Sequence, residues 1–507
     1  MDWTVLFFKN TVGIETMGYL LAWGILTIYT LSILLIFVYS WGQAHLLWHY
    51  RKASRTESQK YSFPSLEKLP PVTVQLPVFN ERYVVERLLE AVSQLEYPRA
   101  LLQIQVLDDS TDASLEITAR KVKSLQQAGV PIEHLYRSHR KGFKAGALKE
   151  GLARATGDLI AIFDADFVPQ KEWLMQTVPH FANPCVGTVQ TRWGHLNRNV
   201  SVFTKMQAFA LDLHFTLEQT GRSEIGAFIN FNGTAGIWRK TCITDAGNWE
   251  GDTLTEDLDL SFRSQLKGWK IAYLQALQTP AELPVTMSAI RSQQFRWQKG
   301  GAENFRKLAG RVLRSKRISI RTKLHGLIHL HSSSMFLHTF VLSVLSVPLL
   351  FAKAQWPSFE PYFKVSSVFL LSVIILMGCY GFIFFEKKSK NLKTMCSFLT
   401  TFVSFYATAL GFSAHNAWAV LQGLWGKKTA FVRTPKFNVV QSKDLGKENV
   451  YVKHSISVFP FVELLLSAYF VFGIYSAFHL DDYGLLIFHF LLFIGFGVVG
   501  VYSLLKK

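Results

Sequence analysis

Two carboxylates one residue apart, Asp164 and Asp166, end the apolar run Leu159-Ile-Ala-Ile-Phe163. A D-x-D on a tight turn after a strand offers hard oxygen ligands through which a divalent ion, Mg2+ or Mn2+, bridges carboxylates to phosphates. Such an ion stabilises negative charge gathering on a departing phosphate. A second acid pair, Asp108 and Asp109, sits between Val106-Leu107 and Ser110-Thr111, again where a strand opens into a helix. It suits nucleotide contact, and either acid also suits capping of a helix starting near Asp112. Lys144, in Lys141-Gly-Phe-Lys-Ala-Gly146, brings a cation for phosphate beside a glycine turn. A third acidic site, Thr255-Glu-Asp-Leu-Asp259, holds Glu256, Asp257 and Asp259. A carboxylate there can take the proton of an attacking hydroxyl, and the residues alone leave open which. Gln293, Arg296 and Trp297 stand at i, i+3 and i+4, one face of a helix. Arginine clamps a diphosphate bidentately, and an indole stacks on a ring face.

These residues need a scaffold with several strand ends side by side. The spacing predicts strands at Val72-Thr-Val-Gln-Leu76, Gln103-Ile-Gln-Val-Leu107 and Leu159-Ile-Ala-Ile-Phe163, with helices over 81–95 and 113–127. Strand alternating with helix implies an α/β domain with a parallel sheet covered on both faces. Ligands of such sheets bind beyond the carboxyl ends of the strands, where both acid pairs stand.

Composition places this domain at a membrane. The chain has 507 residues, 49% hydrophobic, with 41 Phe, 13 Trp and 17 Tyr, more than one ordinary soluble domain uses. A net charge of +18 lies largely beside the hydrophobic segments, which fits a cytoplasmic face with anionic lipid better than a nucleic-acid stripe. The four cysteines, Cys185, Cys242, Cys379 and Cys396, have neither C-x-x-C spacing nor framework density and read as reduced. Residues 18–41 are apolar, uncharged and long enough to cross a bilayer. His49, Arg51, Lys52, Arg55 and Lys60 follow, which puts the N-terminus outside and the polar region inside. Residues 306–323 read as a basic amphipathic helix or helix pair on the membrane surface. Further spans are expected at 333–351, 365–385, 454–478 and 484–505. Residues 395–424 are ambiguous, because they contain His415, Asn416 and Gln422 and have basic flanks, Glu386-Lys-Lys-Ser-Lys390 before and Lys427, Lys428, Arg433 and Lys436 after. They are expected to be re-entrant, interfacial or a bent hairpin, giving five spans plus one such element, with Lys506-Lys507 inside. Pro70-Pro71 and residues 386–393 are the linker signals. His325, His329 and His331 suit interfacial packing, and Glu463 inside an apolar span suits the interior of a helix bundle or a polar channel.

Residues 72–308 resemble the cellulose synthase-like A and C groups of processive family 2 glycosyltransferases and their bacterial relatives. The resemblance rests on Pro77-Val-Phe-Asn-Glu-Arg82, Gln105-Val-Leu-Asp-Asp-Ser-Thr-Asp112, Gly146-Ala-Leu-Lys-Glu-Gly151, Ala161-Ile-Phe-Asp-Ala-Asp-Phe167, Val189-Gln-Thr-Arg-Trp193, Phe231-Asn-Gly-Thr-Ala-Gly236, Thr255-Glu-Asp257, Glu282-Leu-Pro284 and Gln293-Gln-Phe-Arg-Trp297. It implies a GT-A-type, Rossmann-like catalytic domain between transmembrane helices, and inverting polymerisation of hexoses from GDP-mannose, GDP-glucose or UDP-glucose into a β-1,4-linked polysaccharide. It further implies passage of the product across the membrane. By the same resemblance Asp257 is the base and Asp164 and Asp166 hold the metal. Asp108, Asp109, Lys144, Asp164, Gln293 and Arg296 face the donor. Trp297, Gln190, Trp193, Phe231, Gly233 and Thr234 face the acceptor. Phe431-Val-Arg-Thr-Pro-Lys436 resembles the gating loop that covers the nucleotide in cellulose synthases, with Arg433 where Val is usual.

The expected division is residues 1–60 with the first span, a catalytic domain over 61–304, interfacial helices over 305–332, and membrane helices over 333–507 with a gating loop at 427–453. The expected partners are a nucleotide sugar, a growing polysaccharide and the lipid bilayer, with no nucleic acid. A bacterial inner membrane is expected in preference to a Golgi membrane. A glycolipid synthase transferring one sugar to a ceramide or polyprenyl-type lipid shares the same motifs and is the alternative. A non-catalytic scaffold or transporter has no use for the intact acids.

Overall fold

The computed structural model describes residues 3–56, 68–386, 388–445, 449–451 and 457–505. Lys60, the domain start at 61, part of the loop (446–448 and 452–453), the start of the 454–478 span and Lys506-Lys507 lie outside the described residues. The chain forms two compact units, each discontinuous in sequence. One comprises His45–His331 and Gln422–Lys453, the other Met1–Ala44, Ser332–Leu421 and His454–Lys507.

The first unit is built on a seven-stranded sheet. Its strands are β1 (Val72–Val78), β2 (Leu102–Asp108), β3 (Ile132–Tyr136), β4 (Leu159–Ile162), β5 (Val186–His195), β6 (Gly236–Arg239) and β7 (Lys270–Ala281), in the order β3-β2-β1-β4-β6-β5-β7. Apolar side chains alternate between two cores. Val74, Leu76, Ile104, Val106 and Ala161 pack on one face, and Leu107, Ile160, Ile162, Leu148 and Trp238 on the other. Both faces are therefore covered, as a βαβ pattern requires.

The sheet is not wholly parallel. β1, β2, β3 and β4 pair in parallel, but β6 is antiparallel to both β4 and β5. The reason lies in the segment before β6. Gly236 pairs with Ile162, so residues 231–235 already stand at the carboxyl end of β4, and the strand leaving them runs back into the sheet. The helix expected over 81–95 is shorter, Val85–Ser93. The helix expected over 113–127 is Ser114–Gln127.

The Gln293–Trp297 motif lies within a 28-residue helix, Met287–Arg314. The basic stretch expected as a surface helix or helix pair over 306–323 straddles the end of that helix and the start of the next, Ile320–His331. His325, His329 and His331 have separate partners. They meet His45 at 3.1 Å, the Phe228 carbonyl at 3.3 Å and the Phe305 ring at 5.1 Å between centroids. The four cysteines are free.

Among the described residues, six helices are long and apolar enough to cross a membrane: Glu15–Lys52, Ile320–Gln355, Pro357–Phe385, Leu392–Gly411, Phe459–His479 and Leu486–Leu505. Five of these fall on the expected spans, and the sixth lies in the stretch 395–424, expected to be re-entrant, interfacial or a bent hairpin. That stretch divides at Phe412 into Leu392–Gly411, which qualifies by itself, and the short helix Ser413–Trp425, which carries the buried His415, Asn416 and Gln422. Gly411 and Gly495 let Leu392–Gly411 approach Leu486–Leu505 backbone to backbone, since a Cβ on either would collide with the other helix. Glu463 is fully buried in Phe459–His479.

Candidate active site

The acids gather because three strands end at one edge of the sheet and one helix crosses it. Phe163 continues β4 into a turn whose backbone is held at Asp164 by Thr234, the Thr234 hydroxyl accepting from Asp164 N–H at 2.8 Å. Lys144 Nζ donates to Asp164 Oδ1 at 2.5 Å and to the Gly233 carbonyl at 2.9 Å, tying the D-x-D to the loop before β6. Gly233 has φ +81°, and a Cβ there would lie 2.9 Å from Asp257 Oδ2. Glycine is needed twice, for the backbone conformation and for the closeness of Asp257.

Asp257 lies in the first turn of the helix Glu256–Lys267, whose start is docked on Met287–Arg314. Asn304 donates to the Thr255 hydroxyl at 2.9 Å and to the Thr255 carbonyl at 3.0 Å, and Gly300 leaves room for the Thr255 side chain. The same long helix therefore carries Gln293, Arg296 and Trp297 into the cavity and fixes Asp257 beside them.

One cavity is lined by Asp109, Lys144, Asp164, Asp166, Trp193, Gly233, Asp257, Gln293, Arg296 and Trp297, together with Phe431, Arg433, Thr434 and Lys436. Four expected site residues stand behind that lining. Asp108 is fully buried, accepting from Ser110 N–H at 2.8 Å and pairing with His134 at 2.8 Å. Gln190, also buried, donates to the carbonyls of Thr191, Thr234 and Ala235 and accepts from Asn232 N–H. Thr234 spends its hydroxyl on Asp164. Phe231 too is fully buried, against Trp238 and Trp249.

Asp259, the other acid of its motif, is pinned by Arg263 at 2.6 Å and Lys307 at 3.0 Å. Glu250 and Asp252 meet the same Lys307 at 2.7 and 2.8 Å, so the ammonium already fills this acidic cluster.

Segment 431–436 lies over the cavity through contacts of every kind. Phe431 stacks on Phe143 at 6.0 Å and carries the Arg296 guanidinium over its ring at 4.6 Å. Arg296 donates to the Thr434 hydroxyl at 2.9 Å. Arg433 pairs with Glu81 at 2.9 Å, and Lys436 Nζ pairs with Asp166 Oδ2 at 2.6 Å. Lys299, fully buried, holds the start of the segment by donating to the Thr429 hydroxyl at 2.7 Å. Glu282 holds its end by accepting from the backbone N–H groups of Phe437 and Asn438, both at 2.9 Å. Sequence alone assigns Glu81, Glu282 and Lys299 no role, the first two entering only within matching stretches. Their partners lie far along the chain, and no local spacing reports that.

Electrostatics suit proton transfer. Burial, then the neighbouring Glu256 carboxylate, push the Asp257 carboxyl up to about 7, with Lys144 opposing. Burial also raises Glu256. Burial acts against the Lys144 ammonium, but Asp164 and Glu256 outweigh it and leave its affinity for a proton above the ordinary lysine value.

Residues 70–300 match the family model described as Glycosyltransferase like family 2. Glucomannan 4-beta-mannosyltransferase 9 of Arabidopsis thaliana is 36% identical over 383 residues, 75% of this chain and 70% of the relative. The chain belongs to glycosyltransferase family 2. Within it, Glucomannan 4-beta-mannosyltransferase 1 of Oryza sativa subsp. japonica is 43% identical over 261 residues, and this chain spans only 50% of that relative's length. Among solved structures, the mannosyltransferase PcManGT from Pyrobaculum calidifontis, in complex with GDP-Man and Mn2+, aligns at a TM-score of 0.52. It is 18% identical and covers 79% of this chain and 100% of its own, a likeness of fold. The glycosyltransferase is thus a hexosyltransferase with a GT-A-type mixed sheet and several membrane helices. Its two named relatives are plant proteins, so the expected preference for a bacterial inner membrane over a Golgi membrane has no support from them.

The raised Asp257 carboxyl has a consequence if Asp257 serves as the expected base. A general base works ionised, and a carboxyl raised to about 7 ionises only as pH climbs through that value. We expect kcat/KM to rise with pH through the neutral range and level off above it, measured with labelled donor in membranes. A plateau already complete at pH 5 would remove Asp257 from the role.

Proposed function

We propose that the protein is an inverting, processive β-glycosyltransferase that polymerises mannose, or mannose and glucose, from a nucleotide sugar into a β-1,4-linked chain. The donor we favour is GDP-mannose, after the names of the plant relatives and the ligand of PcManGT. The observation that carries the reading is the convergence of Asp164, Asp166, Asp257, Arg296 and Trp297 on one cavity beneath segment 431–436.

The residues fit a divalent cation. Asp164 and Asp166 are two carboxylates side by side at a strand end, and Asp166 already holds a cationic group, the Lys436 ammonium. When bound, Mg2+ or Mn2+ would supply positive charge to the leaving diphosphate. Arg296 and Lys144 reach the same region and serve the same charge. Asp257 takes the acceptor hydroxyl proton as its oxygen bonds to the anomeric carbon from the face opposite the diphosphate, whose C–O bond breaks. Trp297 and Trp193 offer indole faces to the acceptor sugars, and Gly233 lets Asp257 reach the reacting hydroxyl.

Arg51 and Lys52 after the first span support a cytoplasmic catalytic unit, and on this reading the polymer leaves across the membrane. Membranes supplied with labelled GDP-mannose and UDP-glucose should yield a polymer from the former. A labelled lipid carrying one sugar would instead identify a glycolipid synthase.

Arg296 and Trp297 divide the work. Trp297→Ala should shorten or abolish polymer while nucleotide affinity, read by calorimetry, is retained. Arg296→Ala should lose both, since the diphosphate is then poorly neutralised. Equal loss of nucleotide binding in the two variants would make this helix a single donor wall.

A further inference from the structure

The order of strands fixes how a nucleotide sugar lies in the cavity. The D-x-D follows β4, and Trp193 and His195 lie on β5, two places along the sheet in one direction. Phe79 and Asp109 follow β1 and β2, in the other direction. With neighbouring strands about 4.8 Å apart, the β2 end lies roughly 10 Å from the diphosphate position. That is the reach of a ribose and a base. The sugar then occupies the β5 side, near Asp257 and Trp297, and the base the side of Phe79, Asp109 and Arg140.

Of the cations lining this cavity, four are engaged. Lys144 bonds Asp164, Arg296 bonds Thr434, Arg433 bonds Glu81 and Lys436 bonds Asp166. Arg140 differs. Its guanidinium carbon lies over the Phe79 ring, 3.3 Å from the centroid, and its buried Nε has no hydrogen-bond partner among the described residues. Asp109, the acid at this end, gives both oxygens to Arg137, at 2.6 and 2.5 Å. The position of Arg140 is fixed by its own turn. Its carbonyl accepts from Phe143 N–H at 2.9 Å, and Gly142, at φ +74°, begins the helix Phe143–Arg154.

We infer that Arg140 selects the base of the donor, its free guanidinium fork reading the O6/N7 edge of a guanine nucleotide. The inference rests on the GDP-sugar reading proposed above. A planar fork of donors matches two adjacent acceptors, and guanine presents O6 and N7 as such a pair. Uracil presents one carbonyl on the corresponding edge, and adenine replaces O6 by a donor. The contact with Phe79 holds the guanidinium in place without using its hydrogen-bond donors.

Calorimetry on the full-length protein in detergent, with Mn2+ present, tests this with GDP, IDP, ADP and UDP. IDP keeps O6 and N7 and should bind like GDP, whereas ADP and UDP should bind more weakly. Arg140→Ala should weaken GDP and IDP by about 5- to 150-fold, the range of one bidentate base contact, and leave UDP unchanged. Arg140→Lys, which keeps the charge but not the fork, should lose the preference too, and thermal unfolding checks that both variants fold. GDP and UDP binding alike to the unaltered protein would overturn the guanine reading itself. A GDP preference that survives Arg140→Ala would overturn the assignment of Arg140 alone, as would equal weakening of GDP and UDP, the mark of mere attraction to phosphate.

Discussion

Asp257→Asn should lower turnover by roughly 10²–10⁴-fold or more while sparing donor binding. The amide has the shape of the carboxylate, so it keeps the contact with Gly233 and the dock of Thr255 on Asn304. What it loses is the lone pair that accepts the acceptor's proton. Two neighbours serve as controls. Asp259 bonds Arg263 and Lys307 and lies outside the cavity lining, so Asp259→Asn should reduce stability and leave chemistry intact. Removing one partner of such a buried pair typically costs about 3–5 kcal/mol. Glu256 lines the cavity, and Glu256→Gln should disturb the ionisation of Asp257 by removing a like charge. Turnover close to normal in Asp257→Asn, measured with labelled donor, would pass the role of base to Glu256.

Asp166→Ala should abolish transfer, and so should EDTA, with Mn2+ or Mg2+ restoring only the unaltered protein. Asp166 is nearly closed off from solvent, and its Oδ2 already carries the Lys436 ammonium, so the position is built for a cation. On the proposed reading, loss of the carboxylate would leave Asp164 as the single D-x-D ligand and Lys436 without its partner. Asp164→Ala should lose activity as well, and should remove one partner of Lys144 while the Gly233 carbonyl still holds it. Elution of both variants as folded protein in detergent separates lost chemistry from lost structure. Full activity in EDTA would exclude the metal at these residues.

Several features were legible because they are local. The runs before Asp109 and Asp164 alternate or are wholly apolar, and both became buried strands ending at the cavity. The i, i+3, i+4 spacing of Gln293, Arg296 and Trp297 put all three on one face of a real helix. Other features depend on partners far along the chain. Asp108 and Asp109 look equivalent in sequence, yet the alternation of a strand turns the first inward to His134 and the second out to Arg137. Gln190 and Thr234 lie in motif stretches, but they hold the backbone of the 230s loop and the D-x-D turn. The reversed β6 was not legible, since four residues carry no direction by themselves. The polar residues that made 395–424 ambiguous lie mostly in its second half, so the crossing-length helix in the first half was obscured.

The catalytic unit is interrupted in sequence. Residues 45–331 carry the acids, and 422–453, which supply Phe431, Thr434 and Lys436 to the same cavity, come only after all of Ser332–Leu421 has been made. No contiguous stretch of this chain therefore encodes a whole site without the hydrophobic helices between its halves. A fragment ending at His331 would keep the acids but lose the residues that meet Arg296 and Asp166. Proteolysis cannot shed this activity as a soluble enzyme, and during synthesis the site is incomplete until those helices have left the ribosome. Activity is then confined to molecules whose membrane segments have been made, a form of quality control written into the order of the chain.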